Sequence, residues 1–399
     1  MTALAAISAS WFTLNRPQAQ QITNQQTQRP RRVNGTEQTP PSPKKPDSPS
    51  AGDEIDEGDV VRVDTQLVSV PAVVTDTAGR PISGLRLDNF RLIEDGQVQT
   101  ITNFGTAETP FEIALLLDTS GSTRDDVALI RSAANSFIEA LRPGDRVGVV
   151  AFNTAQTVAE PVATVEILTP LTSDRDALRT AIENLGASNG TPYYDALERV
   201  ADSIFRDPPR EELRGRRAVV ALTDGVDSAS NSDFATAKLK LARAGIACYF
   251  IQVNTEDFVE DRLMKDCRDD GQLTLSQRQI ERYRRMFFPS AKAESFNSFC
   301  QMGPFERMSI SRELYNLARR EMNDLAKGSG GRSFVAATLT DARAAFARVA
   351  ADIGTFYSIG YYPTNKARDG KYRAIKLEVR GVKDKTEIRA RDGYYAPKQ

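Results

Sequence analysis

The stretch EIALLLDTSGS, Glu112 to Ser122, decides how this chain is read. An aliphatic run, Ile113 to Leu117, ends on an acid, Asp118, and two hydroxyls follow at alternate positions, Ser120 and Ser122. The pattern recurs at VVALTDG, where Asp224 follows the apolar run Val219 to Leu222 and Thr223. Strands this apolar are buried on both faces, which is the signature of a parallel sheet covered by helices.

The rest of the central chain agrees. RVGVVAF (146–152), ACYFIQV (247–253) and RSFVA (332–336) read as further strands, and ATVEIL (163–168) as another. Between them lie amphipathic segments. Ile130, Ala134, Phe137, Ile138 and Leu141 share one helical face, Ser173 is placed to open a helix with Asp176 at the capping-box distance, and YYDALERVADSIF (193–205), FATAKLKLARAG (234–245), RELYNLARREMNDLAKG (312–328) and LTDARAAFARVAADIG (339–354) follow. Alternating strand and helix predicts an α/β fold with a doubly wound, mostly parallel sheet over residues 110–354.

The flanks differ. Residues 60–109 and 355–399 alternate with period two, as in KYRAIKLEVRG, where Ile375, Leu377 and Val379 interleave with Lys376, Glu378 and Arg380. LIEDGQVQTI sets an Asp-Gly turn between two short strands. Few strands alone are marginal, so the two ends are expected to pair into one small antiparallel β-sandwich into which the central unit is inserted. Residues 21–59 are rich in Pro, Ser and Gln and predict a disordered linker. Residues 1–20 carry an apolar, small-residue run close to a secretory signal in length, without a positive start, and read either as part of such a signal or as a disordered tail. No segment is long enough to span a bilayer, so no transmembrane span is expected in the mature chain. Residues 255–308 form a long polar interruption with the aromatic cluster RYRRMFFPS, expected to border the functional edge and select the partner.

Composition narrows the function. Lys plus Arg number 52 and Asp plus Glu 53, so no net field recruits nucleic acid. The RGRR run at Arg214 lacks interleaved aromatics and reads as a solvated loop. Histidine is absent, which removes the commonest general base, the Ser-His and Cys-His nucleophile pairs and the usual zinc ligand. Of three cysteines, Cys248 sits in an apolar run and reads as a buried hydrophobe, whereas Cys267 and Cys300 are a possible disulfide in an oxidising compartment.

In a parallel sheet, Asp118 and Asp224 both stand at carboxyl ends of strands. Ser120 and Ser122 follow the first of these, and Thr191, in SNGTPYYDAL, lies in a Gly-flanked turn before a helix. Singly, each hydroxyl reads as a helix cap. Together, two carboxylates and three hydroxyls make a hard, all-oxygen set that suits Mg²⁺, with Mn²⁺ or Ca²⁺ as alternatives.

Asp118-Thr119-Ser120-Gly121-Ser122, Thr191 and Asp224 with the segment GTPYYDAL and TDG resemble the metal-ion-dependent adhesion site of a von Willebrand factor type A domain, over roughly residues 110 to 354. The flanks GLRLDNFRLIEDGQVQTITNF and YSIGYYPTN with KYRAIKLEVR resemble a bacterial, exported subgroup. The resemblance implies that Ser120, Ser122 and Thr191 contact the ion directly, while Asp118 and Asp224 reach it mainly through water. It implies a protein-binding module, periplasmic, cell-envelope or secreted, that captures an Asp or Glu carboxylate of a partner protein. Thr119, Tyr193 and Asp227 are expected at the rim of the site, and Asp125 and Asp126 as solvated surface. Two other readings stand beside this one. In the first, a structural envelope protein uses the ion only to stabilise its fold. In the second, disfavoured by the missing histidine and by Ser120 where a second acid would serve phosphoryl transfer, the chain is a metal-dependent hydrolase.

Overall fold

The structure, a computed structural model, describes residues 67–106, 110–120, 127–157, 161–207, 216–264, 275–291, 302–382 and 385–398. The terminal segment and linker, Ser122, Asp125, Asp126, Cys267 and Cys300 lie outside the described residues. Val63–Gln399 form one compact unit.

Four strands precede the central sheet: β1 (Val68–Asp76), β2 (Phe90–Glu94), β3 (Gln97–Gln99) and β4 (Ile101–Gly105). Asp95 and Gly96, at φ 45° and 84°, make the tight turn between β2 and β3 that Asp-Gly predicts. The central unit then runs β5 (Glu112–Leu117), α1 (Val127–Ala140), β6 (Arg146–Ala155), β7 (Val162–Thr172), α2 (Arg175–Glu183), α3 (Tyr193–Arg199), β8 (Arg217–Thr223), α4 (Phe234–Ala244), β9 (Ala247–Val253), α5 (Glu256–Leu263), α6 (Gln277–Phe287), α7 (Pro304–Ser329), β10 (Arg332–Ala336) and α8 (Ala342–Ile353). The chain closes with β11 (Tyr357–Tyr361), β12 (Tyr372–Val379), β13 (Thr386–Ala390) and β14 (Gly393–Tyr395).

The central six-stranded sheet has the order β10-β9-β8-β5-β6-β7, parallel except for the β6–β7 pair. Alternate residues of β5 feed two cores. Ile113, Leu115 and Leu117 pack with α1 and α8 around Phe137 and Phe346, and Ala114 and Leu116 pack with α3, α4 and α7 around Leu197, Leu241 and Met322. Burial of each large side chain contributes roughly 1.5–3 kcal/mol, which is why β5 and β8 carry no exposed position. The mixed α/β architecture is the one the sequence predicts.

The two chain ends pair with each other. One antiparallel sheet runs β13-β1-β11-β4 and a second runs β14-β12-β2-β3, so each combines strands from both ends of the chain. Leu92 faces Leu377 across β2 and β12, and Val70 faces Ile359 across β1 and β11. The sandwich core holds Val70, Ala72, Val74, Leu92, Ile359 and Tyr361, while the intervening Val73 enters the core of the α/β layer. Arg389 donates to Asp352 on α8 at 2.5 Å, and Asp392 N–H donates to Gly328 O at the end of α7.

Three local expectations are corrected. The α2 cap is Asp174, which accepts from the N–H groups of Asp176 and Ala177, and not Ser173, because a carboxylate directly ahead of the first turn offers the better acceptor. The 255–308 interruption is not a plain loop: it contains α5 and α6, and α7 begins within it at Pro304. Arg216 and Arg217 of the RGRR run are buried. Arg217 pairs with Glu112 at 2.9 Å and Arg216 stacks over Phe111, so these two cations belong to the base of the sheet and not to a solvated loop.

Candidate metal centre

Asp118 leaves β5 with its N–H donating to Leu222 O on the adjacent β8. Its Oδ1 accepts from Ser120 N–H at 3.0 Å and its Oδ2 accepts from Thr223 Oγ1 at 2.6 Å. Asp224 is arranged the same way. Its Oδ1 accepts from Val226 N–H at 3.0 Å and its Oδ2 accepts from Thr255 Oγ1 at 2.6 Å. Each carboxylate thus accepts from at least one backbone N–H and one threonine hydroxyl, which fixes its plane.

Both acids are nearly out of water, Asp118 at 1% and Asp224 at 6% exposure. Burial, and next the negative charge of Asp224, push the Asp118 carboxyl up to about 7. Two buried acids that repel each other are relieved either by a proton on one of them or by a cation between them.

Thr191 arrives from the loop before α3. Its N–H donates to Ser228 Oγ at 2.8 Å, and Ser228 N–H donates back to Thr191 O at 3.0 Å. The Thr191 hydroxyl, on a residue 6% exposed, takes no hydrogen-bond partner among the described residues. Ser120, also buried, stays beside Asp118. The donor set therefore suits a hard divalent ion: two carboxylates, two described hydroxyls and no nitrogen or sulfur.

The residues expected at the rim turn out otherwise. Thr119 is fully buried and donates its hydroxyl to Phe152 O at 3.0 Å, and Tyr193 packs inside the α3–α7 core, 6.5 Å from the Phe250 ring. Both point inward because the strand end and the first turn of α3 are covered by packed side chains. Asp227 is buried as well, and its Oδ2 accepts from Tyr193 N–H and Tyr194 N–H, so it caps the start of α3. Pro192 occupies the cap position just ahead of that helix.

Residues 113–226 match the model of the von Willebrand factor type A domain. Over these residues the chain is similar to a von Willebrand factor type A domain. The A domain match spans the loops that bear Asp118, Thr191 and Asp224. Among solved structures, a von Willebrand factor type A protein from Catenulispora acidiphila is 12% identical, with 84% of this chain and 74% of that chain covered and a TM-score of 0.38. Two structures of proximal thread matrix protein 1 from the mussel byssus are 18% and 13% identical, with TM-scores of 0.31 and 0.37. The matches cover 37% and 62% of this chain, and the chain spans 38% and 48% of their respective lengths. No curated protein matches the sequence.

Sequence reading missed the groups that hold the A domain site in shape. Thr223 stands beside Asp224 in VVALTDG, and its alternation with the buried strand was the available signal. Ser228 and Thr255 carry no local signal. They meet Thr191 and Asp224 only through the fold.

Proposed function

We propose that the A domain holds a divalent cation, Mg²⁺ or its close relatives Mn²⁺ and Ca²⁺, and uses it to bind a partner protein through an Asp or Glu side chain. What supports this reading is that Asp118, with Ser120 beside it, and Asp224 end the adjacent strands β5 and β8, and that Ser228, shortly after Asp224, clasps the Thr191 loop. Ser120, Thr191 and Ser122 would hold the ion directly, and Asp118 and Asp224 mainly through water. Neutral hydroxyls leave the ion short of negative charge, so that it keeps affinity for an external carboxylate. The reading places the chain outside the cytoplasm and gives it no catalytic group.

A second reading, a purely structural ion, is favoured by the low exposure of Asp118, Ser120, Thr191 and Asp224, none above 6%. Two measurements separate the two. Partner capture from envelope extract is expected with Mg²⁺ and lost in chelator and in Asp118→Ala or Thr191→Ala. Capture that persists in chelator removes the adhesion reading. A large Mg²⁺-dependent rise in melting temperature with no captured partner favours the structural ion.

A further inference from the structure

The helices of the 255–308 interruption do more than flank the site. Thr255 directly precedes α5, and its hydroxyl hydrogen is committed to Asp224 Oδ2 at 2.6 Å. Tyr315 of α7 places its Oη 2.7 Å from the same Thr255 Oγ1, with both residues buried. A hydroxyl has one hydrogen to give, and Thr255 gives it to the carboxylate. Tyr315 is therefore the donor in the second bond, and the order is Tyr315 O–H to Thr255 O–H to Asp224.

Such a chain is polarised by the anion at its end, and each bond strengthens the next. Burial and the Asp224 charge keep the phenol protonated, its pKa raised well above the ordinary value, so the donor is present throughout the working pH range. The relay is also braced. Glu256, next to Thr255, pairs with Arg319 of α7 at 2.8 Å, one turn from Tyr315, and Glu260 of α5 takes both a 2.5 Å and a 2.9 Å bond from Arg312. These partly exposed pairs add little stability, but they fix the register of α5 on α7 and hence the Thr255–Tyr315 contact.

We propose that Tyr315 is a positioning residue for the cation site, orienting the Asp224 carboxylate through Thr255, so that the α5–α7 layer sets the ion affinity of the A domain. The proposal rests on the cation reading above. It concerns a residue outside the matched segment 113–226 and 60 positions from Thr255.

The test titrates Mg²⁺, and in parallel Mn²⁺, into the metal-free full chain by calorimetry. Tyr315→Phe keeps the ring and removes only the hydroxyl. It is expected to weaken ion binding about fivefold, the size of one hydrogen bond, and to leave the chelator melting temperature close to that of the parent. Thr255→Ser keeps the donor and is expected to bind as the parent does. Thr255→Val removes the donor and is expected to bind more weakly than Tyr315→Phe, and adding Tyr315→Phe to it is expected to cost no further affinity. Equal binding by Tyr315→Phe and the parent, or losses that multiply in the double variant, overturns the relay while leaving the cation site standing. A parent chain that binds neither ion overturns both.

Discussion

Ser228 and Thr191 hold each other by two hydrogen bonds, Thr191 N–H to Ser228 Oγ at 2.8 Å and Ser228 N–H to Thr191 O at 3.0 Å. The two loops come from different parts of the chain, and this clasp joins them. Ser276, capping α6, adds a third link by donating to Ser228 O at 2.8 Å. Ser228→Ala leaves the N–H of the buried Thr191 without its acceptor, a cost of about 1–3 kcal/mol. Urea denaturation is expected to show that loss, and Mg²⁺ affinity is expected to fall with it. An unchanged midpoint means the clasp is dispensable.

Glu112 sits at the opposite end of β5 with Arg146 at 2.7 Å and Arg217 at 2.9 Å, and Arg217 further donates to Phe205 O and Asp207 O. Both Glu112 and Arg217 are buried. Glu112→Ala strands the Arg217 charge in the interior and is expected to destabilise the fold by about 3–5 kcal/mol. Replacing both, as Glu112→Leu with Arg217→Met, is expected to recover most of that. A single variant within 1 kcal/mol of the parent in the same assay contradicts the account.

Gly225, the glycine of TDG, adopts φ +73°, and a Cβ there would lie 2.8 Å from Met322 Cε and 2.9 Å from its Sδ. Its N–H also donates to Thr223 Oγ1, the group that holds Asp118. Gly225→Ala combines a left-handed backbone cost of roughly 1–2 kcal/mol with overpacking against α7. Adding Met322→Ala relieves only the second part. Thermal melts of the single and double variants are expected to rank parent above the double variant and the double variant above Gly225→Ala.

Asp227 gives a pH signature. Burial is the main reason its carboxyl is pushed up to about 6, from an ordinary value of 3.8, against the lowering by its donors Ser230 and Tyr194. A folded-state value above the unfolded one means that the folded chain holds the proton more tightly. The group's contribution is therefore full below about pH 4 and is lost as the pH rises toward 6. Relative to Asp227→Asn, the parent is expected to lose stability across that window in chelator. A stability difference between the two chains that stays flat from pH 4 to 7 shows that Asp227 is already ionised throughout.

The α/β architecture and the acids at the strand tips were legible in the sequence because burial on both faces forces unbroken apolar runs, and EIALLL and RAVVALT show them. The period-two alternation of β12 and the Asp-Gly turn likewise disclosed the antiparallel flanks. Less visible were the burial of Arg216 and Arg217, the inward turn of Thr119 and Tyr193, and the helices inside residues 255–308. A charged side chain reads as solvated until its partner is known, and Glu112 is 105 positions from Arg217. Local pattern, which acts between near neighbours, thus determined which elements form and where the carboxylates and hydroxyls of the candidate site lie along the chain. Only the tertiary structure decided which hydroxyl reaches which carboxylate, since Thr223 to Asp118 and Tyr315 to Thr255 to Asp224 are contacts made by packing and not by spacing.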